Sequence, residues 1–442
     1  MKYKIITNKL IHDIQTGLFK KGDRIPSIRE MALEYRVNKS TVIRAYEELE
    51  ERHIIYSVAK SGYYVTDGNI NRNKSNEIMD FSKVAPDQKT LPFREFNHCI
   101  NRAVDIYKNK LFNYGNTQGL ESLRYALAGN LATNDVYAKP ENICVTSGAH
   151  QGINILLNMK FPSNKKKILI EQPTYSEIYN MLEISGNEFT TINRDENGLD
   201  LDEIERIFKD EDIKFFYTMP KFHNPLGANL PEIQKKRLVE LASKYNVYIV
   251  EDDYLCDIEV NNLCLPMHYY DVDNMVIYVR SFSKSFMPGI RMGCVVLNKE
   301  LIDEFVKVKR SYDLNTSILM QGALELYITN GMYKSHIKKI NKAYKNKYNA
   351  LMEQLNSLDK ERKYINPEHN SLIFWVNLNG KINSTIMCAK LLEKGVKVAE
   401  GEQYFAKKAK LNNVRLCIAP LSCHQIRQGI NIIYDEIRKL HL

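Results

Sequence analysis

The chain has 442 residues, 44% of them hydrophobic and 26% charged. That composition excludes a disordered tail or a fibre, and at roughly 100–200 residues per domain the length excludes a single small binding module. Lys and Arg outnumber Asp and Glu by 62 to 53, a formal +9. Residues 1–70 hold 12 basic and 9 acidic side chains, a net +3 that leaves +6 for the other 372 residues, so the N-terminal end is the denser in charge and the better candidate for touching nucleic acid.

In chain order, Tyr3, Ile6, Leu10 and Ile14 recur at three- and four-residue steps and predict an amphipathic helix over 3–17, closed by Gly17. After the turn KKGDRIPS, Ser27 stands before IREMALEYR with Glu30 three residues later, the pattern of a capping box. Asn38 precedes KSTVIRAYEELEERH, whose Val42, Ala45, Tyr46 and Leu49 form a third apolar stripe. The runs IIYSVA and GYYVTD flank Lys60-Ser61-Gly62 and predict a hairpin. The sum is three helices and a two-stranded wing. The polar segment DGNINRNKSNE follows without an apolar stripe and reads as a linker, over 67–79.

From Phe81 onward, short apolar runs alternate with amphipathic segments. NICVTS, KKILIEQ, IKFFYTM, VYIVED, MVIYVR and MGCVVLN are strand candidates, and IQKKRLVELASKY is one of the helices between them. That alternation predicts an α/β fold with a large, mostly parallel sheet over 80–442, and the segments from about 300 onward predict long helices and then a small α+β end containing NSLIFWVNL and NVRLCIA. The eight cysteines are scattered, with no C-x-x-C pair and no zinc-ligand spacing, so no metal is expected. The N-terminus lacks an apolar signal region and no run approaches 18 apolar residues, which gives the expectation of a cytoplasmic protein without a membrane partner.

A helix-turn-helix needs a helix with polar tips at its N-terminal end and an apolar back. Lys39, Ser40, Thr41 and Arg44 provide the tips, Ser27 and Arg29 a support for the DNA backbone, and Ser61, Gly62 and Tyr63 a wing tip able to reach a neighbouring groove. The blocks GDRIPSIREMA, NKSTVIRAYEELE and SGYYV resemble the winged helix-turn-helix of the GntR family across residues 1–66. The chain departs from that family at Glu51-Arg52-His53, where glycine is usual.

The stretch VRSFSKSFMPGIRMGCV places a lysine among hydroxyls and close before an arginine. Lysine can condense with a carbonyl to form a Schiff base, and pyridoxal phosphate also needs hydroxyls and a cation for its phosphate; Lys284, Ser281, Ser283 and Arg291 are residues of those kinds. The stretch resembles the lysine signature of fold-type I aminotransferases. The resemblance continues in order upstream and downstream. It implies that Ser147, Gly148, Ala149 and His150 in VTSGAHQGI form a phosphate-binding helix start, with histidine where glutamine is common. It also implies that Tyr175 in EQPTYSE stacks on the pyridine ring and that Asn224 in PKFHNPLG bonds the 3-oxygen, with Leu226 in place of the usual threonine. In YIVEDDYLCD the acids Asp252 and Asp253 are adjacent; Asp252, two before Tyr254, matches the carboxylate facing the pyridine nitrogen, and Tyr254 would approach the 3-oxygen. Arg415 in NVRLCIA matches the arginine that forks onto a substrate carboxylate. Tyr114 and Gly119 in NYGNTQGLESLR resemble the segment that reaches a neighbouring site across a dimer.

A GntR-like reader joined to an aminotransferase-like domain resembles the MocR subfamily of bacterial transcription regulators. Membership implies a head-to-tail homodimer on double-stranded operator DNA, in which pyridoxal phosphate bound as an aldimine on Lys284 senses an amino compound, or is itself the signal. The alternative is an active aminotransferase with a secondary DNA-binding module.

Overall fold

A computed structural model of the chain divides into two compact units, Met1–Glu77 and Ile78–Leu442. It describes residues 2–51, 54–58, 61–66, 78–258, 264–358, 364–365, 371–378, 382–406 and 412–441. Most of the expected linker, 67–77, lies outside the described residues, and its last two positions, Ile78 and Met79, open the second unit.

The first unit contains α1 (Lys2–Gln15), α2 (Ile28–Glu34), α3 (Lys39–Glu51) and the antiparallel pair β1 (Ile55–Val58) and β2 (Gly62–Val65), in register from Ile55↔Val65 to Val58↔Gly62. The apolar stripes meet as expected: Ile6, Leu10 and Ile14 of α1, Met31 of α2, and Val42, Ala45, Tyr46 and Leu49 of α3 form one core with Ile55 and Val65. Ser27 caps α2 and Glu30 returns the bond to the Ser27 backbone, completing the capping box.

The second unit is built on an eight-stranded sheet of β4 (Ile143–Thr146), β5 (Lys167–Gln172), β6 (Phe189–Asp195), β7 (Gly198–Leu199), β8 (Ile213–Thr218), β9 (Tyr248–Asp253), β10 (Val276–Ser281) and β11 (Gly293–Val296), in the spatial order β4-β11-β10-β9-β8-β5-β6-β7. β5, β6, β8, β9 and β10 run parallel, whereas β11 is antiparallel to both its neighbours and β7 to β6. Every residue of β8, β9 and β10 is buried, which is why each carries an apolar run, FFY, YIV and VIYV. β6, FTTINRD, is polar at five of its seven positions and lies near the sheet edge, so it has no such run to give it away.

Around the sheet lie α4 (Phe93–Tyr107), α5 (Glu121–Ala132), α6 (Ala149–Asn158), α7 (Ser176–Ser185), α8 (Leu201–Asp210), α9 (Glu232–Tyr245), α10 (Lys299–Asp313) and α11 (Ile318–Thr329). The long α12 (Met332–Leu358) leads to a small antiparallel sheet of β12 (Ile373–Asn377), β14 (Ala399–Glu400) and β15 (Asn413–Cys417), flanked by α13 (Ser384–Glu393) and α14 (Cys423–His441). The short β13 (Val396–Lys397) pairs in parallel with β3 (Met79–Asp80). The first strand of the second unit is thereby fastened to its C-terminal end. In an open α/β sheet, ligands collect beyond the carboxyl ends of the parallel strands; in the middle of this sheet those ends are Thr218, Asp253 and Ser281.

Candidate cofactor pocket and DNA reader

Beyond those strand ends lies a cavity of about 250 Å³ lined by Ala149, His150, Tyr175, Asn224, Asp252, Tyr254, Ser281, Ser283, Lys284, Arg291 and Arg415, together with Val84, Ser176, Met219, Gln403 and Tyr404. Segments more than 250 residues apart in sequence are thus brought to one place. At one end α6 begins behind Gly148, whose φ of +85° strains any side chain and where a Cβ would lie 3.0 Å from the Arg291 guanidinium. A helix start beside a cation and the Ser281 and Ser283 hydroxyls suits an anion. Ser147 does not line the cavity: its hydroxyl donates to Asp313 (3.2 Å), and its carbonyl accepts from Arg291 (3.4 Å).

Asp252 and Asp253 are separated by strand alternation. Asp252 lines the cavity with one oxygen accepting from the Tyr217 hydroxyl (2.7 Å), whereas Asp253 accepts from Tyr278 (2.8 Å) and is absent from the lining. Three buried polar atoms around Lys284 have no protein partner: Asp252 Oδ1, Asn224 Oδ1 and Arg415 Nη1. Arg415 itself is held by its Nε on the Tyr404 hydroxyl (2.9 Å) and by Nη2 on the Ser82 carbonyl (2.8 Å). Leaving buried polar groups unpaired costs about 1–3 kcal/mol each, so the cavity is chemically incomplete. A carboxylate for Arg415 and a protonated ring nitrogen for Asp252 would complete two of the three. Pyridoxal phosphate therefore fits the residues present.

Burial pushes the Lys284 amine below the ordinary lysine value, and the nearby Arg415 and Arg291 charges add to the effect. Burial raises the Asp252 carboxyl to about 7, with the Asp253 charge adding to the rise and the Tyr217 bond opposing it. His150 is lowered by burial and by Arg291, and its Nε2 lies 2.8 Å from the Tyr175 hydroxyl.

Beneath the cavity, Glu171 collects Arg194, Thr218 (2.7 Å), the Met219 N–H (3.1 Å) and His223 (3.1 Å), all buried. Burial alone would raise the Glu171 carboxyl, but Arg194 and His223 outweigh it and hold it at about 2. This cluster fixes both ends of the 219–228 turn that carries Asn224, because Arg194 also donates to the Met219 and Ala228 carbonyls.

The Tyr254 side chain lines the cavity, and its hydroxyl donates to the Phe222 carbonyl (2.6 Å), bracing the turn before Asn224. Tyr63 turns inward, edge-on to Tyr46 at 4.9 Å, and Ser61 pairs with the Tyr64 hydroxyl at 2.6 Å; a wing this short needs its aromatic ring to cover the core. Tyr114 is 86% exposed and absent from the cavity lining, and Gly119 packs on Val145. Tyr217, Tyr404, Ser82 and Val84 went unnoticed in the sequence. The first two sit in unremarkable runs, and the last two act through backbone carbonyls, which any residue possesses.

On the first unit, Arg29, Lys39, Ser40 and Arg44 are exposed and Ser27 and Thr41 half-buried, with the Arg44 guanidinium 4.5 Å above the Tyr3 ring. Lys39, Ser40 and Thr41 form the first turn of α3.

Comparison with known families finds aminotransferase class I and II over residues 77–433 and the bacterial regulatory proteins of the gntR family over residues 2–65. The chain belongs to the aminotransferase class I and II family. Its pairing with a GntR reader is that of the MocR-type regulators. An uncharacterized HTH-type transcriptional regulator of Bacillus subtilis, YcxD, is 47% identical over 346 residues, 78% of each chain. The HTH-type transcriptional regulator NorG of Staphylococcus aureus is 27% identical over 94% of this chain and 100% of its own. Among solved structures, a kynurenine aminotransferase of Pyrococcus horikoshii in complex with PMP superposes with a TM-score of 0.76 at 27% identity, covering 83% of this chain and 92% of that one. The chain is a MocR-type transcriptional regulator with an aminotransferase-like domain, and among the described residues no helix is long and apolar enough to cross a membrane.

Proposed function

We propose that this regulator binds pyridoxal phosphate through Lys284 and that an amino compound entering the same cavity changes how a dimer of the chain engages operator DNA. The observation that carries the reading is the trio of unpaired buried atoms, on Arg415, Asp252 and Asn224, gathered around Lys284 in a chain that also has a GntR reader. The cofactor of the Pyrococcus horikoshii relative is carried over on that ground.

Bound there, pyridoxal phosphate would supply an aldehyde carbon that an amine can bond and a ring that draws electrons from it. The residues of the chain do the rest. Lys284, whose proton burial makes easier to release, offers a nucleophilic amine. Asp252 holds a proton on the ring nitrogen through Oδ1, its other oxygen being fixed by Tyr217. The α6 start with Ser281, Ser283 and Arg291 takes the phosphate. Arg415 presents Nη1 to the carboxylate of an amino acid. Any shift in DNA binding then equals the difference in ligand affinity between the two DNA-binding states.

Footprinting of the full chain on candidate promoters, its own included, tests this. Specific protection that changes with cofactor or with cofactor plus an amine is expected; no specific protection under any of these conditions would refute it. Protection that responds to cofactor alone would make the cofactor level the signal. A second reading, aminotransferase activity, is favoured by the retention of Lys284, Asp252, Asn224 and Arg415 around one cavity. Single-turnover spectroscopy with a panel of amino acids tests it, and the absence of keto acid with every one would reject it.

A further inference from the structure

Residues 82–86 form a bridge between two anchors, and Val84 at its centre lines the cavity. At one end Phe81 is fully buried and packs so closely on α14 that a Cβ on Gly429 would lie 2.4 Å from its ring. Its N–H donates to the Lys397 carbonyl and its carbonyl accepts from the Cys417 N–H, both at 2.8 Å. At the other end Asp87 accepts from the buried Lys347 at 2.9 Å, which also donates to the Ala419 carbonyl at 2.6 Å. Between the anchors the bridge makes two polar contacts with the cavity. The Ser82 carbonyl accepts from Arg415, and the Val84 carbonyl accepts from Lys284 Nζ at 2.7 Å.

These two contacts fall on the two side chains that would hold a ligand, and they respond differently to it. Arg415 keeps Nη1 free, so a carboxylate can bind without evicting Ser82. Lys284 has only one amine. When its nitrogen bonds the aldehyde carbon, with water leaving, it retains at most one proton, committed to the ring side, and the Val84 carbonyl loses its donor. When an incoming amine takes over that carbon, one C–N linkage replaces another and Lys284 is returned as a free amine able to rejoin Val84. The bridge is also the first stretch after β3, within ten residues of the segment that leads back to the DNA reader.

We propose that residues 82–86 form a strap that reports whether the Lys284 amine is free, and that the strap passes the state of the cavity into the chain leading to the DNA reader. The second half rests on the regulator reading above; the first half stands without it. The strap is released when cofactor alone occupies Lys284 and is re-engaged when an amine displaces the lysine. The signal is thus the availability of one hydrogen-bond donor rather than the size or shape of the effector.

Amide hydrogen exchange of the full chain tests the strap, read on peptides covering 79–87 with the central strand 213–218 as control. The probes are pyridoxal 5′-phosphate and then aminooxyacetate, whose aminooxy group displaces the lysine from the aldehyde and whose carboxylate suits Arg415. Exchange over 79–87 should rise about fivefold on cofactor loading, the factor carried by one net hydrogen bond of about 1 kcal/mol, and fall back on adding aminooxyacetate. Lys284→Ala without cofactor should show the released level from the outset. Equal exchange in Lys284→Ala and the parent chain would overturn the strap, whether or not cofactor binds.

The relay to DNA is tested separately with Asp87→Asn, which loosens an anchor outside the cavity. That variant should keep the cofactor's absorbance and its aminooxyacetate response but lose most of the cofactor dependence of operator affinity. Full retention of that dependence would overturn the relay. Absence of specific DNA binding by the parent chain would instead overturn the regulator reading together with the relay, leaving the exchange result to decide the strap.

Discussion

At Lys284 burial shifts a protonation equilibrium. The cost of desolvating an ammonium lowers its pKa from 10.5, with Arg415 and Arg291 pushing the same way. The rate of pyridoxal phosphate loading should therefore rise with pH to a plateau whose midpoint lies below 10.5; a stopped-flow absorbance series with the midpoint at or above that value would contradict it. Glu171 and His223 act on stability instead. His223 is lowered to about 4 by burial and by Arg194, and Glu171 to about 2. Both folded-state values lie below the unfolded ones, so the stabilisation is complete above pH 6.5 and is lost as pH falls, first through His223 and then through Glu171. A shift of this size in His223 corresponds to about 3 kcal/mol. Urea unfolding at pH 7 and pH 4 should show that loss in the parent chain, and His223→Gln should flatten the profile over the same window.

At the scale of elements, the polar clusters join segments that the apolar core alone would leave free to slide. Asp257 accepts from Arg280 on β10 (2.8 Å), from Ser285 beside Lys284 (2.6 Å) and from Tyr333 in the first turn of α12 (2.7 Å). His336, one turn further along α12, holds the Ser285 carbonyl at 3.1 Å. Such a cluster buries a charged pair, whose value lies more in fixing geometry than in net stability. Tyr333→Phe should cost about 1.5–3 kcal/mol, the range for a hydrogen bond to a charged group, measured by urea unfolding; an unchanged midpoint would show that Asp257 does not need its third donor. In the first unit the Ser27–Glu30 capping box fixes the start of α2. Ser27→Ala should destabilise that unit by about 1 kcal/mol, read as an earlier thermal transition of residues 1–66 expressed alone or of the first phase of the full chain.

For the whole molecule, the excess charge is divided between a reader and a cofactor domain. Only the first needs it for affinity: the exposed Arg29, Lys39 and Arg44 sit on one small unit, and each phosphate neutralised contributes about 0.9 to the slope of log K against log salt. Replacing any one of the three by Gln should lower that slope by about 0.9 on operator and non-specific DNA alike. A slope that stays at the parent value for all three variants would place the DNA contacts elsewhere on the unit.

The sequence by itself determined the order of the N-terminal helices and wing, the capping box, the GntR and aminotransferase signatures and most of the polar side chains around Lys284. These are properties of local periodicity and of residue types at fixed spacing, which a chain carries before it folds. It also favoured Asp252 over Asp253, though only by its distance from Tyr254. Strand alternation in β9 turns Asp252 into the cavity and Asp253 to Tyr278. Tertiary structure alone decided that the Tyr254 hydroxyl donates to Phe222, that Tyr63 faces the core, and that Glu171, Arg194 and His223 meet beneath Asn224. It alone placed the carbonyls of Ser82 and Val84 on Arg415 and Lys284, which lie 333 and 200 residues further along the chain. Backbone groups are the same at every residue, so only folding can choose which of them reaches a site.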